Sequence, residues 1–156
     1  MSKTLSLPKL HLALYQPDIP QNVGAAIRLC ACLGLSLDII EPCGFLWNQR
    51  KIRQSAMDYI DFVEPIKHDS WSAFLDKYQD NRRIVLMTTK TDAAYTDFTF
   101  EYGDILLAGR ESAGVPDAVS DALAHKVTIP LAQGFRSLNI VTASAMIAGE
   151  ALRQLR

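Results

Sequence analysis

The chain predicts an α/β fold, a mostly parallel sheet with helices on both faces. Three observations lead there. RIVLMT (83–88) and DILLAG (104–109) carry continuous rather than alternating apolar runs, the mark of strands buried on both faces. Such runs recur along the chain and alternate with segments of helical period. Finally, ILLAGRESAGVP (105–116) and VTIPLAQGFRSLN (127–139) each run from a strand into a loop bearing glycine or proline, then into a helix start. In open α/β sheets ligand sites are built at such strand ends, so these two loops read as walls of one pocket.

Taken in order, LHLALY (10–15) is the first predicted strand, and a helix runs from Asn22 to about Leu33. LDII (37–40) is the second strand, followed by a short helix over about 48–56. DFVEPI (61–66) reads as a shorter third strand. Ser70 then caps a helix carrying Trp71, Phe74, Leu75 and Tyr78. After the strands at 83–88 and 104–109, a brief helix starts at Pro116 or Asp117. KVTIP (126–130) is the last strand, and Leu138 to Leu155 the longest helix. In that helix Ile140, Ser144, Ile147, Ala151 and Leu155 form one stripe, with Val141, Ala145, Ala148 and Leu152 beside it. A helix apolar over so much of its circumference buries more than one side, against the core alone or against the core and a second copy of the chain.

A length of 156 residues suits one domain, 1–156, with a real core. With 49% apolar and 21% charged residues the composition is globular rather than disordered. No run reaches the ~20 apolar residues that span a bilayer. The opening MSKTLSLPKLHLALYQPDIP is interrupted by Pro8 and His11, unlike a signal peptide, so a cytoplasmic protein with no membrane partner is expected. Cys30, Cys32 and Cys43, and His11, His68 and His125, show no metal-ligand spacing, so buried thiols and no metal are expected. The net charge of −1 does not advertise nucleic acid. Locally, Arg50, Lys51 and Arg53 cluster, as do Arg82 and Arg83, either as solvated helix faces or as phosphate contacts.

Familiar nucleotide signatures fail. Gly109 to Gly114 has the gap of a P-loop, but Val115–Pro116 stands where Lys–Ser/Thr is required. No G-x-G-x-x-G follows the first strand, and Ser112 is not in a nucleophile elbow. On the helix over 22–33, Val23, Ile27, Cys30 and Leu33 lie on the core side. Arg28 falls beside the small residues Gly24, Ala25, Ala31 and Cys32, leaving room for a ligand or a neighbouring subunit. Asn22 either caps this helix or presents its amide to a substrate. Glu111 pairs with a cation or faces water, Arg136 binds phosphate or faces water, and Ser137 and Asn139 sit at a helix start.

Together PQNVGAAIRLC, LLAGRESAGVP and IPLAQGFRSLN resemble, in order and spacing, the three motifs of the SpoU branch of the SPOUT RNA 2′-O-methyltransferases. The likeness covers nearly the whole chain. LALYQPDIPQN, IIEPCGF and the MTTK strand end narrow it to the small single-domain tRNA wobble-nucleotide methyltransferases. The resemblance implies a C-terminal trefoil knot over about 83–156, a homodimer, tRNA as partner and S-adenosylmethionine as cofactor. It places Met87, Gly109, Ile129, Leu131, Ser137 and Leu138 at the cofactor and Arg28, Asn22 and Ser137 in catalysis. Arg110, Glu111, Arg136 and Asn139 become candidates for substrate or dimer contact. Proline often stands at the position of Arg110 in that group, and the loop Ala132–Phe135 varies. Other readings are methylation of another tRNA or rRNA position, a knotted RNA-binding protein without catalysis, and a flavodoxin-like nucleotide-binding domain, which explains the sheet but not these loops.

Overall fold

The computed structural model describes residues 10–156, so the reading of the leading segment around Pro8 lies outside the described residues. Among the described residues six strands form one sheet in the order β3-β2-β1-β5-β4-β6, and every strand pairing is parallel. They are β1 His11–Tyr15, β2 Ser36–Ile40, β3 Ile66–His68, β4 Ile84–Met87, β5 Ile105–Ala108 and β6 His125–Val127. The helices are α1 Pro20–Leu33, α2 Gln49–Ala56, α3 Trp71–Tyr78, α4 Asp117–Ala122 and α5 Ile140–Gln154. Leu12 and Leu14 of β1 face a core shared with α1, α2 and α5, while Ala13 and Tyr15 face a second core with Phe74 and Tyr78 of α3. Helices thus cover both faces, which is why β1 and β5 read as unbroken apolar runs. Phe74, with no exposed surface, contributes roughly 1.5–3 kcal/mol by its burial alone.

Proline and glycine set several boundaries. Pro20 opens α1 at its first turn, where a missing N–H costs nothing, and Gly34 closes it with φ of 70°. The helix therefore begins before Asn22, which lies inside the first turn and is not its cap. Leu33, expected on the core side, is 36% exposed because the last turn of α1 runs past the core. The expected strand over 61–66 is absent. A 3-10 helix, Met57–Asp61, continues α2, and Pro65 has no N–H to pair, so β3 starts at Ile66. The last strand likewise stops at Val127 rather than reaching Pro130, with Thr128 making only a bridge to Ala94. Asn139 caps α5 by accepting from the backbone N–H groups of Val141 and Thr142, so that helix starts two residues later than expected.

Because all strands run the same way, their C-terminal ends share one edge of the sheet. The strand order reverses between β1 and β5, placing the β1–α1 and β5–α4 loops side by side at that edge. Among the described residues no helix is long and apolar enough to cross a membrane.

Candidate active site

A cavity of about 310 Å³ opens at the C-terminal ends of β4, β5 and β6. Its volume is at the small end for a ligand site. Met87, Gly109, Ile129, Leu131, Ser137 and Leu138 all line it, so the two glycine-bearing loops do form walls of one pocket. Arg110 and Glu111 line it too. Leu86, Ile129, Leu138 and Ile147 give apolar walls, while residues of the loops at 88–90 and 109–115 complete the lining. That mixture suits a nucleoside: a flat base between apolar side chains, with polar edges met by fixed main-chain groups.

The β5–α4 loop is held tightly. Arg110 and Gly114 exchange backbone hydrogen bonds at 3.1 and 2.9 Å, and Arg110 Nε also donates to the Gly114 carbonyl at 3.0 Å. Gly114 has φ of 62°, which favours glycine. A Cβ on Gly109 would stand 2.7 Å from Gly114 Cα, so the first glycine is required for close approach alone. The Arg110 guanidinium rests over the Tyr15 ring, 5.7 Å from its centre.

A polar network ties the three motif segments together. Asn22 Nδ2 donates to Glu111 Oε1 at 3.2 Å, and Asn139 Nδ2 donates to Asn22 Oδ1 at 3.1 Å. The Asp18 backbone N–H donates to Glu111 Oε2 at 2.9 Å, and the Ser112 hydroxyl donates to the Asp18 carboxylate. Burial raises the Glu111 pKa, and the neighbouring Asp18 carboxyl raises it further. The Glu111 carboxyl in turn holds Asp18 below its ordinary range. Of the two carboxyls, Glu111 is thus the more readily protonated.

Sequence reasoning placed Asn22, Glu111 and Asn139 in one neighbourhood only through the family likeness. It missed Asp18, Ser112, Thr88 and Lys90. For the last two the signal was present, since they continue the strand end around Met87. Arg136 and Asn139 are exposed in the loop before α5. Arg28 stands apart. It lies exposed on α1, with Nη1 3.6 Å from Met57 Sδ and its guanidinium 5.5 Å from the Tyr59 ring centre, outside the cavity lining. The small-residue strip beside it is partly filled. A Cβ on Gly24 would strike Ser55 Oγ and the Ile52 carbonyl, so α2, not a ligand, occupies that side.

The family described as SpoU rRNA Methylase matches residues 9–149. The chain belongs to this family. A tRNA (cytidine(34)-2′-O)-methyltransferase of Beijerinckia indica is 54% identical over 145 residues, 92% of this chain and 91% of that protein. The protein of the same description from Escherichia coli K12 is 38% identical, covering 94% of each chain. A solved structure described by the 2-OH methylation of C/U34 on tRNA superposes with a TM-score of 0.89 at 40% identity, covering 94% of this chain and 95% of that one. The likeness to these SpoU proteins includes the cavity-bearing end of the sheet, so the flavodoxin-like reading falls away.

Proposed function

We propose that the chain methylates the ribose 2′-hydroxyl of the wobble nucleotide of tRNA, cytidine or modified uridine at position 34, using S-adenosylmethionine. The observation that carries this is convergence: the second and third motif segments wall one cavity, and the first is hydrogen bonded to both through Asn22. The relatives' activity supports the choice of nucleotide.

S-adenosylmethionine, when bound, supplies a sulfonium methyl that the 2′-oxygen takes as its proton leaves, with S-adenosylhomocysteine as the departing group. Leu86, Ile129 and Leu138 would hold the adenine of S-adenosylmethionine between apolar side chains, and Met87, Gly109 and Leu131 would supply main-chain groups to its polar parts. Ser137, at the cavity mouth, orients the incoming hydroxyl. The Arg28 guanidinium carries donors and no acceptor, so it holds the adjacent phosphate or the developing oxyanion rather than removing the proton. Its place outside the cavity lining supports a homodimer in which Arg28 of the partner subunit takes this task.

Exposed Phe135, Leu138 and Met146, on α5 and the loop before it, support that homodimer. A single domain, 1–156, with a trefoil knot over about 83–156 is part of the same reading. It is supported by the C-terminal chain, which leaves β6 at the sheet edge, passes the cavity and returns as α5 against α1 and central β5. A cytoplasmic location follows from tRNA as the substrate. Isothermal titration is expected to give saturable binding of S-adenosylmethionine and S-adenosylhomocysteine, retained by Arg28→Ala while methyl transfer is lost. Absence of binding to either compound removes this reading.

A further inference from the structure

The loop from β2 into α2 and the outer face of α2 are not used by the cavity. Between Pro42 and Met57 the chain carries three cations, Arg50, Lys51 and Arg53, and no carboxylate, although the protein as a whole is at −1. The short helix presents all three outward while Ile52 and Ala56 are buried against α1. Arg53 pairs with Asp61 at 3.3 Å, so its charge is partly answered. Arg50 and Lys51 are exposed, and among the described residues their side chains have no ion-pair partner.

Directly before them stands an aromatic stack. Phe45 and Trp47 lie 6.4 Å apart at 26°, and Lys67 Nζ sits 3.8 Å from the Trp47 ring centre, adding a cation to the group. Leu46, between the two rings in sequence, is 93% exposed. The two rings are half-buried against the core and hold Leu46 outward. A projecting apolar side chain, the exposed part of Trp47 and unanswered cations in one short stretch are the ingredients of single-stranded RNA contact, bases on the apolar part and phosphates on the charges.

This patch is fastened to the candidate active site. Gly44 N–H donates to the Pro17 carbonyl at 2.9 Å, and a Cβ on Gly44 would stand 2.5 Å from Asp18 Cβ. Asp18 in turn holds Glu111 through its backbone N–H. At the other end of the patch, Ser55 Oγ donates to the Gln21 carbonyl at 2.9 Å, beside Asn22. We propose that Leu46, Trp47, Arg50 and Lys51 form a platform that holds the tRNA strand flanking the methylated nucleotide. The inference rests on the tRNA methyltransferase reading above. It adds the surface that receives the RNA.

The test uses full-length protein and an anticodon stem-loop RNA with cytidine at position 34. Arg50→Ala with Lys51→Ala, and separately Leu46→Ala, are compared with the wild type in RNA affinity across salt concentrations, in KM against kcat for methyl transfer, and in calorimetric affinity for S-adenosylmethionine. The double variant is expected to raise KM for RNA about tenfold or more with kcat within about twofold, and to flatten the salt dependence by about 0.7–0.9 log units per lost contact. Leu46→Ala is expected to weaken RNA binding without changing the salt slope, and Arg50→Lys to restore most of the loss at that position. Unchanged RNA affinity and slope in the double variant overturn the platform. A fall in S-adenosylmethionine affinity, or a change in oligomeric state, marks a structural or subunit-contact role and overturns it as well. RNA binding does not require methyl transfer. A wild-type protein that binds the RNA but leaves nucleotide 34 unmodified therefore refutes the catalytic reading separately.

Discussion

The side-chain amide of Asn139 donates to the amide oxygen of Asn22, 3.1 Å away and 117 positions distant in the chain. Asn22 then donates to Glu111, so the first and third motifs meet the second through one residue that is donor and acceptor at once. A side-chain amide does both from two separate atoms, Nδ2 donating and Oδ1 accepting.

That dual role makes Asn22 sensitive in a particular way. Asn22→Asp keeps the acceptor for Asn139 but sets a carboxylate against the Glu111 carboxyl. The loss is expected to exceed that of Asn22→Ala, with a stability cost of about 1–3 kcal/mol and a larger fall in methyl transfer. Thermal melts and single-turnover assays of the two variants check the order. Equal losses would contradict the predicted order, and unchanged methyl transfer in both would place the network outside catalysis.

Gly109→Ala tests the cavity wall. The new Cβ meets Gly114 backbone rather than a flexible side chain, so the 110–114 loop must move. Calorimetry is expected to show at least an approximately tenfold loss of S-adenosylmethionine affinity, equivalent to about 1.4 kcal/mol. Gly114→Ala, strained at φ of 62° but with open space around its Cβ, is expected to lose less.

Gly24→Ala addresses helix packing instead. Its Cβ would stand 2.9 Å from Ala56 N and closer still to the Ser55 hydroxyl, forcing α1 and α2 apart. A destabilisation of about 1–3 kcal/mol is expected in denaturant melts, typical of overpacking. An unchanged midpoint would show that α2 yields freely.

Much of this was legible beforehand, and the reasons for the rest are physical. The segments at 84–87 and 105–108 are apolar without interruption because both faces of the sheet are covered, and their short length marks them as strands rather than buried helices. The motif residues around the cavity were found through family likeness, and their convergence depends on strand order, which periodicity does not encode. DFVEPI misled because Phe62 and Val63 look like strand residues, whereas Phe62 is 77% exposed beyond a 3-10 turn. Spacing along α1 put small residues beside Arg28 but was silent on α2 already lying against Gly24. Asp18 and Ser112 had no pattern to give them away, since one follows β1 and the other lies in a loop 94 positions later.

The buried Asp38 carboxyl contributes to acid stability. Asp38 has no exposed surface and accepts hydrogen bonds from His11 at 2.9 Å, His68 at 2.8 Å and Tyr78 at 2.8 Å. Burial alone pushes its carboxyl up, but these bonds outweigh it and hold the pKa below the ordinary range. A depressed carboxyl contributes stability above its unfolded value of about 3.9, and that contribution is lost as pH falls through the lower folded value. Asp38→Asn is expected to cost about 3 kcal/mol at neutral pH, with the gap from wild type narrowing below about pH 4. Urea melts across that range give the answer, and a gap independent of pH would contradict it.

The most direct test of the account is to incubate the protein with methyl-labelled S-adenosylmethionine and total tRNA, then map label to nucleotide and atom. The account predicts label on the ribose 2′-oxygen of the wobble nucleotide, cytidine or modified uridine, and its loss with Arg28→Ala. Label on a base, at another position, or undiminished in that variant would contradict it.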